Sequence, residues 1–282
     1  MKIEPIDIKE GYRLIHKFHY SKVLPKLTKH VLAHREGNEI DAVMTLGWGV
    51  RPRHTIQKLF PSLNTEDYLE IGKLCLDDLL PKNSESQFIS SCLKEFHRFH
   101  PEIKLIFTWA DGMLGKPGYV YQSCNFLYGG FIWTDSYFFN GEKIHPRATG
   151  AIGGRPSREK LAELGWEHYK GKQFRYIYFL CSHKEQKRLL KESTVVWSTD
   201  YPKHKDLCWK KLVNGEWIVS TEPQYTGNLS FNSSSKIYNL YKNQPSLFSF
   251  ADDVSRVKRP ISNGERVVQS HQSTCLNHAG QG

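Results

Sequence analysis

Apolar residues recur near helical spacing at Ile8, Tyr12, Ile15 and Phe18, which predicts a short amphipathic helix over residues 7–18. His19-Tyr20-Ser21-Lys22-Val23-Leu24-Pro25 follows as a polar loop rich in reactive groups. Val31–His34 and Ala42–Gly49 predict two strands around a turn at Glu36-Gly37-Asn38, the first extending back to Thr28. Residues 51–67 contain Pro52, Pro61 and Asn64 and read as a loop. Tyr68–Asp77 predicts a further strand centred on Leu74-Cys75-Leu76.

Ser84 followed by Gln87 fits a capping box, and Phe88, Ile89, Cys92, Leu93 and Phe96 form one apolar helical face behind it. A helix N-terminus suits an anion, although most such starts are structural. Lys104–Trp109 and Phe126–Trp133 read as strands, Arg158–Leu164 as a short helix, Gln173–Cys181 as a strand and His183–Leu190 as a helix. Strand, capped helix, strand, short helix, strand is the order of a mixed α/β sheet with one catalytic edge. After residue 218 the texture turns polar and aperiodic. The expected organisation is one domain over 1–218 and a flexible polar tail over 219–282.

Composition narrows the partner. The chain has 282 residues, a net charge of +10 and a sequence pI near 9.2. Residues 143–191 hold twelve Lys/Arg against four Asp/Glu, a surplus of eight positive charges in under a fifth of the chain. Trp166, Tyr169, Phe174, Tyr176 and Tyr178 interleave with that charge. Bases stack on aromatic rings while cations hold phosphates, so this stretch suits nucleic acid. The plainer alternative is a solvated basic face over a packed aromatic strand. No apolar run reaches the roughly 18 residues that a membrane span needs, and no signal-peptide core opens the chain. The six cysteines show neither CxxC nor zinc-finger spacing, which fits reduced thiols in a cytoplasm.

The chemistry concentrates in Leu105-Ile-Phe-Thr-Trp-Ala-Asp111-Gly-Met-Leu-Gly-Lys-Pro-Gly118-Tyr-Val-Tyr121-Gln-Ser-Cys-Asn-Phe126. An apolar strand ends in a carboxylate, and a glycine-rich bend leads to a tyrosine. Asp111 reads as a strand-end reactive group or as a turn cap. Tyr121 reads as an acid, a metal ligand or a packing aromatic. His19 and Tyr20 are loop neighbours able to face one cavity. GxSxG, Walker A and GxGxxG motifs are absent, as is the zinc-deaminase pattern, which removes support for those classes.

Val120-Tyr121-Gln-Ser-Cys-Asn-Phe126 resembles the segment of GCN5-related N-acyltransferases whose tyrosine protonates the departing coenzyme A thiolate. Asn125 stands where that family has glycine, and Leu80–Ser86 stands in place of its glycine-rich phosphate loop. A closer resemblance spans residues 10–180. His19-Tyr20-Ser21, Glu70-Ile-Gly-Lys73, Pro81-Lys-Asn83-Ser84-Glu-Ser86, Trp109-Ala-Asp111, Gly118-Tyr-Val-Tyr121 and Gly171-Lys-Gln-Phe-Arg-Tyr176 recur in order as in the Mom family of phage DNA adenine modification proteins.

That resemblance implies an α/β (α+β) fold, an acyltransferase-like mixed, largely antiparallel sheet flanked by helices. It implies conversion of adenine N6 in DNA to a carbamoylmethyl derivative that shields phage DNA from restriction. Carried over, the catalytic set is Asp111, Tyr121, His19 and Tyr20, and the same four are the implied ligands of a bound iron. Ser84, Ser86, Asn83 and Lys73 are the implied binding residues for an acyl-CoA-like donor. Lys73 stands where the family has arginine, keeping the charge and losing the planar fork. The implied partner is double-stranded or locally opened DNA in a bacterial or phage-infected cytoplasm, with no membrane and with room for a homodimer. The rivals are a conventional N-acyltransferase acting on a protein or small amine, and a non-catalytic DNA-binding protein.

Overall fold

In a computed structural model the described residues are 1–19, 25–139, 142–144 and 158–223. Strand β1 (Glu4–Pro5) and helix α1 (Ile8–Phe18) lead into the hairpin of β2 (Leu27–Glu36) and β3 (Glu39–Trp48). Helix α2 (Pro52–Leu59) precedes β4 (Tyr68–Leu76), then α3 (Ser84–Phe99) and β5 (Leu105–Asp111). The short α4 (Tyr119–Gln122) is followed by β6 (Leu127–Phe139), β7 (Glu142–Ile144), α5 (Arg158–Glu163) and β8 (Glu167–Phe179). Helix α6 (His183–Glu192) and a second hairpin, β9 (Trp209–Val213) with β10 (Glu216–Ser220), complete the described chain.

The strands make one sheet in the order β1-β2-β3-β4-β5-β8-β6-β7, with β9 and β10 attached through β8. Pairing is antiparallel except between β4 and β5. The architecture is therefore the expected mixed, largely antiparallel sheet flanked by helices. Strand β8 is long enough to hold β6 on one edge and both β5 and β9 on the other.

Period-two alternation divides the core between two faces. Met44, Leu46, Leu69, Ile106, Phe174 and Tyr176 point to the side covered by α3. That helix buries the predicted set Phe88, Ile89, Cys92, Leu93 and Phe96. Tyr68, Leu105, Phe107 and Ile177 point to the other side, under Ile56 and Leu59 of α2 and Leu189 of α6. Leu14 and Ile15 of α1 cover Val31, Ala33, Val43 and Cys75 on that same side. Each fully buried Phe or Leu of this kind is worth roughly 1.5–3 kcal/mol over its exposed state.

Four local expectations are corrected. Residues 51–67 are not all loop, because Pro52 sits at the first turn of α2, where its missing N–H costs nothing, and Ile56 and Leu59 bury behind it. The capping box at Ser84 does not form. Asn83 takes the boundary in a left-handed conformation (φ 72°), and its carbonyl accepts from Gln87 N and from Ser86 Oγ. Strands β6 and β8 outrun their predicted lengths because they pair with each other along Leu127–Phe138 and Glu167–Ile177. The β9–β10 hairpin turns at Asn214-Gly215, both with positive φ, and β10 runs across the expected boundary after residue 218. The predicted tail lies almost wholly outside the described residues, which stop at 223. No helix among the described residues is long and apolar enough to cross a membrane.

Candidate functional site

The two parallel strands part company. Tyr68, Leu69 and Glu70 pair with Leu105, Ile106 and Phe107, and there the β4–β5 ladder stops. Beyond that point β4 continues with β3 alone and β5 continues with β8 alone. The sheet therefore opens between β4 and β5 beyond Glu70 and Phe107, and Asp111 and Tyr121 lie beside that opening.

Asp111 closes β5 on the side of Phe107 and Trp109. Gln173 lies directly opposite it on β8, and two residues back Trp109 faces Arg175, whose guanidinium carbon is 5.4 Å from the indole ring centre. The Asp111 carboxylate is held at both oxygens. Oδ1 accepts from Met113 N at 3.1 Å, capping the 3-10 turn Gly112–Leu114, and Oδ2 accepts from Lys143 Nζ at 2.6 Å. Both side chains are mostly buried, at 17% and 20% exposure, so their attraction is incompletely screened.

Lys73 belongs to the same neighbourhood. It is 8% exposed, and burial brings its ammonium down to about 8, with the positive charge of Lys143 contributing further. The Thr45 hydroxyl, across the β3–β4 ladder from Lys73, is buried and has no hydrogen-bond partner among the described residues. Glu70 stands at the last paired position of β4. Burial pushes its carboxyl up, opposed by hydrogen bonds from the Gly49 backbone and the Tyr68 hydroxyl.

Tyr121 lies on the other face. Gly118 starts α4 at φ 97°, and a Cβ there would stand 2.6 Å from the Tyr176 ring, so the position requires glycine. The bend seats the Tyr121 ring against Phe126 and Tyr176 at centroid distances of 5.4 and 5.6 Å. Thr108, the first residue of β5 beyond the parallel ladder, lies beside its hydroxyl. Burial pushes the phenol up, and the polar Thr108 side chain offsets part of that. Strand alternation sets Thr108 and Asp111 on opposite faces of β5, so Asp111 and Tyr121 flank the opening from its two sides and do not share one wall.

The first turn of α3 lies on the Tyr121 side. Cys124 Sγ, in the turn after α4, contacts the Ser86 carbonyl at 3.4 Å and Ser90 Oγ at 3.7 Å. Ser84 is buried at the helix start, while Asn83 is exposed. The helix presents its positive end there. His19 caps the C-terminus of α1, with its N–H on the Ile15 carbonyl at 2.9 Å. Tyr20 lies outside the described residues.

Of the expected iron ligands, His19, Asp111 and Tyr121 are described and Tyr20 is not. Among the described residues no group of three or more His, Cys, Asp or Glu is placed to hold a metal. Both Asp111 oxygens already accept hydrogen bonds. Sequence reading passed over Lys143 and Glu70 as site residues. Glu70 had a legible signal, a carboxylate inside an apolar strand; Lys143 had none, because its contact spans 32 positions.

A family model described as the Mom protein family matches residues 1–203. Among curated proteins, the methylcarbamoylase mom of Escherichia phage Mu is 28% identical over 192 residues, covering 67% of this chain and 79% of that protein. A GNAT-family N-acetyltransferase from Escherichia coli, solved in complex with CoA, matches 73% of this chain and 91% of its own at 10% identity and a TM-score of 0.36. An acetyltransferase from Bacillus subtilis, also solved with CoA, matches 64% and 99% at 14% identity and the same TM-score. At those scores the structural likeness decides nothing about a ligand.

Proposed function

Since the chain belongs to the Mom protein family, we propose that it is a DNA-modifying enzyme that places a carbamoylmethyl-type group on adenine N6 and so shields phage DNA from restriction. The observation that supports this reading best is the split between β4 and β5, with Asp111 and Lys143 on one side and Tyr121 on the other. A transfer reaction needs two partners to meet from opposite directions, and a sheet opened from both faces provides that.

The exocyclic amine of adenine is a weak nucleophile and sits inside the stack, so the base must leave the duplex to react. It enters on the Asp111 side. Asp111, fixed by Lys143 and the Met113 N–H, orients the amine and receives its proton as the new N–C bond forms. A CoA-like donor carrying the carbamoylmethyl group on its sulfur enters on the α3 side, with its phosphates at the start of that helix near Ser84 and Ser86, and its methylene carbon–sulfur bond breaks as the N–C bond forms, releasing a thiolate. Tyr121 keeps its proton at neutral pH because burial opposes the phenolate, and it gives that proton to the leaving group. Lys73 and Lys143 add positive potential at the opening. The positive surplus over 143–191 holds backbone phosphates and makes affinity fall with salt. The reaction takes place where the DNA is, in the cytoplasm of the infected cell.

The test uses DNA from cells expressing the protein, digested with restriction endonucleases whose sites contain adenine. DNA from wild-type expression resists cleavage, and DNA from Asp111→Asn expression is cut normally. Equal cleavage of both would favour the rival readings, an ordinary amine acyltransferase or a non-catalytic DNA-binding protein.

A further inference from the structure

Beyond the opening, the far end of the sheet carries a second organised surface. Alternation and register set Phe131, Trp133, Asp135 and Tyr137 of β6 opposite Phe174, Lys172, Lys170 and His168 of β8 on one face. Lys170 then faces Lys210 of β9, Lys210 faces Val219 of β10, and Leu212 faces Trp217. Rings and ammonium groups interlock across the strands. Lys172 Nζ lies 4.7 Å from the Phe131 ring centre, Lys210 Nζ 4.9 Å from Trp133, and Lys170 Nζ 4.1 Å from Trp217. Among the side chains just named, Asp135 is the one carboxylate, and His168 Nε2 engages it at 2.9 Å.

Phe131 and Trp133 are not core, at 41% and 39% exposure, and Val219 beside them is 75% exposed. Large apolar groups clustered at a surface mark a contact site, and the lysines among them specify its sign. The occupant must offer flat apolar faces together with dense negative charge. An unstacked nucleic acid strand does so, whereas a duplex hides its bases and shows mainly phosphates. Geometry supports the same choice: the Phe131 and Trp133 rings are centred 5.9 Å apart with their planes at 90°, whereas bases stacked in a duplex lie parallel with a rise of about 3.4 Å. Neighbouring bases must unstack to cover both rings.

We infer that this face of β6, β8, β9 and β10 holds the opened DNA strand flanking the adenine to be modified, stacking bases on Phe131, Trp133 and Trp217 and pairing phosphates with Lys170, Lys172 and Lys210. The inference rests on DNA being the substrate and adds which form of DNA is gripped, and where.

The test compares binding of a fluorescent single-stranded oligonucleotide and the corresponding duplex at matched salt. Wild type favours the single strand. Trp133→Ala weakens single-strand binding by roughly 5- to 150-fold, the range for losing one stacked base, and leaves the thermal midpoint unchanged. Trp133→Phe restores most of the affinity because it keeps a stacking face. Lys170→Ala with Lys210→Ala lowers the slope of log affinity against log salt by about one to two. If wild type binds DNA and Trp133→Ala binds the single strand equally well, this surface is refuted while DNA remains the substrate. If wild type binds neither form, the DNA reading itself falls.

Discussion

Lys73 holds a charge in a place that resists it, and the consequence is measurable. Its side chain is 8% exposed, and its ammonium has come down from 10.5 to about 8. Because the folded value lies below the unfolded one, the unfolded chain binds the extra proton more readily. The charge therefore costs stability in full below pH 8, and the cost fades as pH rises through the window from 8 to 10.5. A depression of this size corresponds to a penalty of about 3 kcal/mol at neutral pH, of which about 2 kcal/mol is recovered by about pH 9.5. Urea unfolding of wild type and Lys73→Met at about pH 7 and about pH 9.5 reads the difference directly. Other groups titrate in both proteins and cancel, so wild type gains on the variant by about 2 kcal/mol over this range. A stability difference that stays flat with pH, or moves against wild type, would refute the placement of Lys73 as a buried cation.

Two further outcomes follow from the same geometry. Tyr121→Phe removes the proposed proton donor; it is expected to keep the fold to within about 1 kcal/mol, read by chemical denaturation, while abolishing DNA modification, read by nucleoside mass spectrometry. Gly118→Ala meets a positive φ and the Tyr176 ring at once, so it is expected to destabilise by more than about 1 kcal/mol in thermal melts and to lower modification by displacing α4.

Much of the scaffold was legible because its signals are local. The α3 face from Phe88 to Phe96 and the turn at Glu36-Gly37-Asn38 carry their own periodicity and turn chemistry, and both form as read. Pro52 misled because a proline that opens a helix looks the same in sequence as one that prevents it. Asn214-Gly215 was an available hairpin signal, flanked by segments too short and too charged to stand out as strands. The site was harder to read for a different reason. The types of Asp111 and Tyr121 were informative, but the face each one occupies depends on where α4 docks relative to β5. That docking is set by packing among Tyr121, Phe126 and Tyr176, residues separated by up to 55 positions. The contact of Lys143 with Asp111 likewise exists only after β6 and β7 fold back beside β8.

The central claim is that Asp111 and Tyr121 serve one reaction on adenine from opposite sides of the sheet. Mass spectrometry of nucleosides from DNA of expressing cells tests it directly, comparing wild type with Asp111→Asn and Tyr121→Phe. The account predicts a modified deoxyadenosine heavier by a carbamoylmethyl group in wild type and its loss in both variants. Unmodified deoxyadenosine in all three, or full modification in either variant, would contradict it.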